Sequence, residues 1–231
     1  MQAIILAAGV GSRIQKFSQK KHKSLIKIAN KSLLTRMVDY LIDINIKDIL
    51  IVTGYKSEQI KSEIKTKAKY IYFPNYQMSN NLQTLLHVKD KINGPFLCLF
   101  SDIFFDKKIL LNLKNSKKDI CLAIDTSKVR KDTMRIIKEN DKIIDIGSQI
   151  DVSDGDGNFI GIAKFSKMGA TNLKKSLNYY KNNHKDYYTL ALKHLIKKKK
   201  NVNYLDIKSL FWTEIDFYKD YLKLKKKYEI K

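Results

Sequence analysis

Long apolar runs, cysteine and proline are scarce in this sequence. No apolar run approaches the ~20 residues that cross a bilayer, and the short apolar opening has no basic region before it, which argues against a membrane helix and a signal peptide. The two cysteines, Cys98 and Cys121, lie apart in apolar, strand-like runs, where a free thiol behaves as a small hydrophobic side chain. This spacing does not support a zinc site or a disulfide scaffold. We therefore expect a cytoplasmic protein with a hydrophobic core and free thiols.

Arginine is also scarce, because only four of the 45 basic residues are arginine. Proteins that read bases and phosphates favour the bidentate guanidinium group of arginine. The lysines are spread through nearly every predicted helix and turn, so we interpret the net charge of +22 as solvated surface that attracts polyanionic nucleotides. We predict no nucleic-acid partner and no membrane insertion. A basic RNA- or membrane-binding protein, which would bind any polyanion in a salt-dependent manner, is the alternative from another class.

The chain does contain a buried strand that ends in a loop with almost no side chains. Residues 2–13 read QAIILAAGVGSR. The two glycines remove Cβ atoms that would keep a ligand away, so backbone N–H groups can converge on an anion while Arg13 adds a positive charge. The pattern is not a dinucleotide fingerprint, because the third glycine is missing, and it is not a P-loop. A tight strand-to-helix turn is the alternative interpretation.

This opening resembles the LAAGxGxR signature of nucleotidyltransferases, which join a nucleoside monophosphate to a phosphorylated small molecule. Every fixed position of that signature is met, by Leu6, Ala7, Ala8, Gly9, Gly11 and Arg13. The resemblance is strongest in residues 2–25, 75–102 and 158–217. Within the family the chain looks like the small CTP-dependent cytidylyltransferases that activate phosphocholine, phosphonates or phosphorylated amino acids. The sugar-1-phosphate uridylyl- and thymidylyltransferases share the first loop and are the nearest alternative.

Strands alternate with amphipathic helices in the first half of the chain. After the opening strand, the pattern predicts strands at 48–55, 70–73 and 96–100 and helices at about 33–42, 57–67 and 82–92. Such alternation predicts a mostly parallel sheet with helices on both faces, and the resemblance implies a Rossmann-like α/β fold of the nucleotidyltransferase (GT-A-like) type. The second half adds a hairpin around residue 140, further strands and three helices. We predict one domain over 1–231, with a nucleotide-binding half at 1–118 and an acceptor-binding half at 119–231.

Two aspartates far apart in the sequence are candidates for holding a metal ion. Asp102 follows the fourth strand, at the edge where open parallel sheets bind ligands, and Asp106 is the better cap for the next helix. Nucleotidyl transfer benefits from Mg²⁺ held by a few carboxylate and phosphate oxygens. The family places an aspartate at each of two points, matched here by Asp102 and by Asp216 of the Glu214-Ile215-Asp216 segment. The resemblance therefore implies that both aspartates hold Mg²⁺, with a helix cap as the alternative for Asp216.

A phosphate-contacting lysine stands in the family within a K-P-K-x-L run, which here reads Lys21-His22-Lys23-Ser24-Leu25. The resemblance implies that Lys23 contacts phosphate. Because histidine replaces the proline, we expect a less rigid loop, and we interpret His22 itself as a solvated bystander. The catalytic set that the resemblance implies is Arg13, Lys23, Asp102 and Asp216.

Residues 79–85 (SNNLQTL) resemble the Asn-Asn-x-x-Ser-Leu element of phosphocholine-type cytidylyltransferases. Amide side chains can satisfy both the donor and the acceptor edges of a pyrimidine, although the same residues also start a helix. The nucleotide-binding residues implied are Leu6, Ala8, Gly9, Gly11, Ser12, Arg13, Lys23, Ser79, Asn80 and Ser101. The acceptor-binding residues implied are Asn81, Thr84, Asp156, Tyr187 and Tyr188. Asp156 stands where the family has glutamate, and aromatic residues at such spacing are also typical of a core.

These features together predict an enzyme that moves CMP from MgCTP to a small phosphorylated acceptor and releases pyrophosphate. The acceptor expected first is L-glutamine phosphate, which would give CDP-L-glutamine for capsule decoration, and the second is phosphocholine. Both expectations rest on the family resemblance, because the residues alone do not separate the two acceptors.

Overall fold

The computed structural model of the protein describes residues 1–14 and 21–229. The predicted polar stretch between Ile14 and Lys21 lies mostly outside the described residues. The strands are β1 Gln2–Ala7, β2 Lys27–Ile28, β3 Lys31–Ser32, β4 Asp48–Thr53, β5 Lys69–Tyr72, β6 Phe96–Phe100, β7 Ile103–Phe105, β8 Ile120–Asp125, β9 Met134–Glu139, β10 Lys142–Gly147, β11 Gly157–Phe165, β12 Asn203–Asp206 and β13 Trp212–Glu214. The helices are α1 Leu33–Asp43, α2 Ser57–Ile64, α3 Asn81–His87, α4 Lys108–Asn115, α5 Lys167–Tyr179, α6 Thr189–Lys197 and α7 Tyr218–Glu229.

One sheet contains strands from both halves of the chain, in the order β5-β4-β1-β6-β11-β8-β12-β10-β9. Strands β5, β4, β1 and β6 are parallel to one another, and β11 runs antiparallel to both β6 and β8. Strand β8 therefore points in the same direction as β6, and the carboxyl ends of β1, β6 and β8 lie at one edge. The predicted α/β class is confirmed, in a mixed sheet whose first half is parallel. The second half is mainly antiparallel because it contains the predicted hairpin, β9–β10.

Helix α1 shows how the local sequence sets an element boundary. The Ser32 hydroxyl accepts a hydrogen bond from the backbone N–H of Thr35 at 3.1 Å and caps the helix, as serine does at many helix starts. From there Leu34, Met37 and Leu41 recur at helical spacing, and all three are buried. The sequence predicted this start and this apolar face, and both are confirmed.

The sheet has a hydrophobic core on each face, because successive side chains of a strand point to opposite sides. In β1, Ile4 and Leu6 pack into the core that also contains residues of α3, α5 and α6. Ala3 and Ile5 pack into the other core, with residues of α1, α2 and α4. Helices therefore cover both faces, as predicted. Within the described residues, none of the helices has the length and apolar character that crossing a membrane requires.

A two-stranded ribbon outside the main sheet was not predicted. Strand β7 pairs with β13 in antiparallel register, with Ile103 opposite Glu214. Directly beyond this pair, the Ile215 N–H donates to the Asp102 carbonyl at 2.9 Å. Ile215 also packs with Leu224 of α7 in a third, smaller apolar cluster. The ribbon therefore joins the end of β6 to the C-terminal segment of the chain.

The burial of both thiols gives a direct test of this packing. Cys98 and Cys121 are free and buried, and burial raises the pKa of Cys98 to about 12 and raises the pKa of Cys121. Because the reactive species is the exposed thiolate, we expect no reaction of the folded protein with Ellman's reagent and two thiols per chain after denaturation in urea. Rapid reaction of either thiol in the folded protein would contradict the described core.

Candidate active site

A cleft of about 410 Å³ opens at the sheet edge where β1 and β6 end. Fourteen predicted site residues line it, and they come from six separate stretches of the chain. They are Leu6, Ala8, Gly9, Gly11, Arg13, Lys23, Ser79, Asn80, Asn81, Thr84, Ser101, Asp102, Tyr187 and Asp216. The structure thus brings most of the predicted residues to one place.

The loop after β1 is packed so closely at Gly11 that this position requires glycine. Gly11 has a φ of +64°, and a Cβ atom there would lie 2.7 Å from Cδ of Lys23. On the other side, a Cβ atom on Gly54 would lie 2.7 Å from the Ala8 carbonyl oxygen, which accepts a hydrogen bond from the Tyr55 N–H at 3.0 Å. The missing side chains therefore allow the loop to pack directly against Lys23 and Gly54. The other side of the loop faces the cleft.

Four charged side chains meet at the centre of the cleft. The Lys23 ammonium contacts Asp102 Oδ2 and lies 3.2 Å from Asp216 Oδ1, and the Arg13 guanidinium donates to Asp216 Oδ2 at 2.9 Å. Burial lowers the pKa of Lys23, but the charges of Asp102 and Asp216 raise it by more, so the pKa lies above its ordinary value. Because one ammonium group reaches both carboxylates, the two aspartates lie within reach of a single cation.

The donor set fits a divalent ion that is shared with a phosphate ligand. Asp102 Oδ1 is buried and has no hydrogen-bond partner among the described residues. Over residues 1–14 and 21–229, no group of three or more histidine, cysteine, aspartate and glutamate side chains could enclose a metal. Mg²⁺ commonly binds one or two carboxylates and takes its remaining ligands from phosphate and water. The residues present fit that mode of binding.

Glu214 lines the cleft beside the two aspartates, although the sequence analysis gave it no role of its own. Burial and, to a lesser extent, the charges of Asp102 and Asp216 raise the pKa of Glu214 to about 8. The charges of Lys23 and Arg130 act in the opposite direction. Its carboxyl group therefore takes up a proton more readily than an ordinary glutamate does, which limits the negative charge gathered at this point.

The start of α3 is fastened to the segment between α5 and α6. The Asn80 N–H donates to the His184 carbonyl at 2.7 Å, and the Asn81 side-chain carbonyl accepts from the Tyr188 N–H at 2.8 Å. Gln83 is buried and donates to the Lys181 carbonyl at 2.8 Å. The helix-start interpretation of these amides is therefore correct, and Asn80 and Asn81 also border the cleft.

Three predicted site residues do not line the cleft. The Asp156 carboxylate accepts from the Lys138 N–H at 2.8 Å, which fixes it between β9 and β11. Tyr188 is 0% exposed, because it packs in the core cluster between α3, α5 and α6, with its ring centroid 6.1 Å from that of Phe159. Ser12 is exposed beside the glycine loop. The structure therefore does not bring Asp156 and Tyr188 to the cleft with the other residues predicted to bind the acceptor.

The far wall of the cleft comes from the loop between β8 and β9, which the sequence analysis did not single out. Lys131 and Asp132 line the cleft there. The buried Asn158 amide holds the loop from below, since its Oδ1 accepts from the Arg130 N–H at 2.8 Å and its Nδ2 donates to the Lys128 carbonyl at 2.7 Å. The available signal was a polar run directly after a buried strand whose carboxyl end lies at the ligand edge.

Other residues of the cleft that the prediction missed are supplied by neighbouring loops and strands. They are His22, Tyr76, Phe100, Thr133, Met134, Ser148 and Phe159. His22 is only 1% exposed, so the expectation that it is solvated is wrong. Phe100 and Phe159 pack edge to face with centroids 6.0 Å apart and form an apolar floor between the nucleotide side and the far wall.

Comparison with known families identifies the class of protein that has this arrangement. The profile of the Nucleotidyl transferase family matches residues 2–134, which is more than half of the chain and includes the glycine loop, Lys23 and Asp102. This chain belongs to the nucleotidyltransferase family. The LAAGxGxR resemblance is thereby confirmed.

The curated relatives of this nucleotidyltransferase include two cytidylyltransferases. A CTP:phosphoglutamine cytidylyltransferase of Campylobacter jejuni is 26% identical over 95% of this chain and 97% of its own. A choline-phosphate cytidylyltransferase of Haemophilus influenzae is 34% identical over 64% of each chain.

Solved structures share the fold of the nucleotidyltransferase over its full length. A CTP:phosphocholine cytidylyltransferase from Streptococcus pneumoniae superposes with a TM-score of 0.83 at 21% identity, covering 97% of both chains. An inositol-1-phosphate CTP transferase from T. maritima gives 0.79 at 16% identity, covering 99% of this chain and 96% of that one.

The two loop glycines of the nucleotidyltransferase form a matched pair for a stability test. A Cβ atom on Gly9 would meet nothing within 4 Å, whereas at Gly11 it would meet Lys23 in a backbone conformation with positive φ. We expect Gly11→Ala to lower the free energy of unfolding by about 1–2 kcal/mol and Gly9→Ala to change it far less, as measured by urea denaturation. Equal effects of the two substitutions would contradict the described loop.

Proposed function

We propose that this nucleotidyltransferase transfers CMP from CTP to a small phosphorylated acceptor and releases pyrophosphate. The observation that carries the proposal is the meeting of the glycine loop, Arg13, Lys23, Asp102 and Asp216 in one cleft. A phosphate oxygen of the acceptor forms a bond to the α-phosphorus of CTP, and the bond from that phosphorus to the bridging oxygen of the β-phosphate breaks. The electron pair leaves with pyrophosphate. No general base is required, because the attacking oxygen is already an anion.

The residues of the cleft have distinct parts in this reaction. The glycine loop lets backbone N–H groups approach the triphosphate, and Arg13 and Lys23 add positive charge for the phosphate oxygens and for the departing pyrophosphate. Asp102 and Asp216 would hold Mg²⁺. That ion, when bound, neutralises phosphate charge and fixes the geometry of an in-line displacement.

The choice of CTP is supported by the relatives that match along the chain. The C. jejuni protein, which matches over nearly its whole length, is named for CTP, and so is the S. pneumoniae enzyme with the closely similar fold. A UTP--glucose-1-phosphate uridylyltransferase of Haloferax volcanii is 28% identical but covers only 52% of this chain. A sugar-1-phosphate uridylyl- or thymidylyltransferase is therefore the second candidate.

The far wall supports a zwitterionic acceptor such as L-glutamine phosphate. Three strand spacings of about 4.8 Å separate β8 from β1 along the sheet, so the far wall stands roughly 14 Å from the glycine loop, which leaves room for an acceptor beyond the α-phosphate. Lys131 and Asp132 present opposite charges there, suited to the carboxylate and ammonium groups of an amino acid. Trp212 does not offer a ring face to choline, because its side chain is buried and Arg130 lies 4.4 Å above its ring. Phosphocholine is therefore the second acceptor.

The product of this reaction suits a role in surface-polymer synthesis. A CDP-linked group is activated for transfer to a further acceptor, and we propose that the product is CDP-L-glutamine, used in the decoration of a capsular polysaccharide. We further propose that the enzyme works in the cytoplasm, where the nucleoside triphosphates are. The net charge of +22 then serves to attract the nucleotide, and no nucleic-acid partner is required.

A screen of the four nucleoside triphosphates against phosphorylated acceptors, with Mg²⁺ present, tests the proposal through pyrophosphate release. We expect the highest turnover with CTP and L-glutamine phosphate, followed by CTP and phosphocholine. Turnover with UTP or dTTP and a sugar 1-phosphate would establish the second candidate. Salt-dependent RNA binding without pyrophosphate release in any combination would contradict nucleotidyl transfer.

Within that screen, Asp102→Asn and Asp216→Asn should each lower turnover by about 100-fold or more, because the transition state loses charge stabilisation. Asp48→Asn is the matched control, since Asp48 is an exposed acid paired with the surface residue Lys69 at 3.0 Å. Unchanged turnover in both site variants would exclude the aspartates from the reaction.

The far-wall assignment predicts a selective loss of acceptor binding. We expect Lys131→Ala and Asp132→Ala to raise the KM for the acceptor by about tenfold each, the size of one charge-assisted hydrogen bond, without a comparable rise in the KM for CTP. Steady-state kinetics with each substrate varied in turn measures both values. Equal rises for both substrates would argue against a separate acceptor wall.

A further inference from the structure

His22 is held by hydrogen bonds on every side although it borders the cleft. Its Nε2 lies 3.1 Å from the Gly9 carbonyl oxygen, and its Nδ1 lies 2.8 Å from the Ser24 hydroxyl and 3.2 Å from the Ser24 backbone nitrogen. The His22 backbone N–H donates to the Gln59 side-chain oxygen at 2.9 Å. Each polar atom that the side chain possesses is therefore in use.

These contacts fix which ring nitrogen carries the proton. The Ser24 backbone N–H can only donate, so Nδ1 of His22 must accept, and Nε2 carries the hydrogen that it donates to the Gly9 carbonyl. A neutral ring is consistent with the surroundings. Burial, together with the charges of Lys23 and Lys56, lowers the pKa of His22 to about 4, against raising effects of the Gly9 carbonyl and Asp102.

The contact with Gly9 acts on the part of the loop that faces a ligand. In a trans peptide the C=O and the following N–H point in opposite directions, so a fixed Gly9 carbonyl also fixes the direction of the Val10 N–H. Lys23, the residue after His22, supports the same loop at a second point, because its side chain packs against Gly11. Residues 22 and 23 thus hold the glycine loop at two points.

We infer that His22 is a positioning residue for the nucleotide: its Nε2–H holds the glycine loop in the shape that binds the triphosphate. This inference rests on the proposed function, in which that loop receives the nucleoside triphosphate. It does not require His22 to touch the substrate, and it predicts that a side-chain donor at the position of Nε2 is what matters.

Two substitutions at His22 distinguish the effect of the hydrogen-bond donor from the effect of side-chain size. Glutamine places an N–H-bearing nitrogen three bonds from Cβ, as Nε2 of histidine is, whereas leucine has no donor. We expect His22→Leu to raise the KM for the nucleotide by about 3- to 10-fold, the equivalent of one hydrogen bond, with the KM for the acceptor unchanged. His22→Gln should recover most of that loss.

A control and two contrary outcomes complete the kinetic test. His194→Leu removes a histidine that packs on Tyr179 away from the cleft, and it should leave both KM values unchanged. Unchanged nucleotide KM in His22→Leu would overturn the inference. So would equal impairment of His22→Gln and His22→Leu, since packing alone would then explain the effect.

The ring tautomer of the wild-type protein gives a measurement that needs no substrate. Long-range ¹H–¹⁵N spectra of the wild-type protein at pH 7 should show His22 with a protonated Nε2 and an unprotonated Nδ1, the signal being assigned by its loss in His22→Gln. A protonated Nδ1 would overturn the inference even if CTP turnover is normal. The kinetic test uses whichever nucleoside triphosphate the wild type turns over, so a preference for UTP would overturn the choice of CTP and leave the test of His22 intact.

Discussion

The antiparallel pairing of β7 with β13 is the constraint on which the site depends. It sets Ile103 opposite Glu214 and carries the hydrogen bond from the Ile215 N–H to the Asp102 carbonyl. In this register Asp102 lies opposite Ile215, and residues opposite each other in such a ribbon lie about 4.5–5.5 Å apart. The ribbon therefore holds Asp216 next to Asp102, and both carboxylates reach Lys23. The register of these three-residue strands therefore sets how close the two carboxylates lie.

The charges at this junction are balanced before any ligand enters. Arg13 and Lys23 formally cancel Asp102 and Asp216, and Glu214 adds little negative charge because its pKa is raised to about 8. Two partly buried carboxylates without such partners would repel each other and a polyphosphate alike. The cations therefore make the cleft compatible with the proposed function, in which the two acids hold a metal ion beside the phosphates of a nucleotide.

The sequence was informative where local patterns decide the outcome and uninformative where distant segments meet. An apolar run sets the boundaries of β6, and capping chemistry sets the start of α1. The direction of parallel strands brings the glycine loop and Asp102 to the same edge. The β7–β13 ribbon is too short to show a period. His22 looked solvated beside three lysines, yet the fold buries it, and of the two neighbouring tyrosines it exposes Tyr187 and buries Tyr188.

Asn158 holds the loop after β8 through backbone groups of that loop. Its amide bonds the Arg130 N–H and the Lys128 carbonyl, which are backbone groups that every residue except proline provides in full. Neither of these two hydrogen bonds involves the side chain of Lys131 or Asp132. Under the proposed function, in which these two residues bind the acceptor, exchanging them would change the preferred phosphorylated compound and leave the glycine loop unaltered. Acceptor preference would then diverge through a few substitutions at one loop.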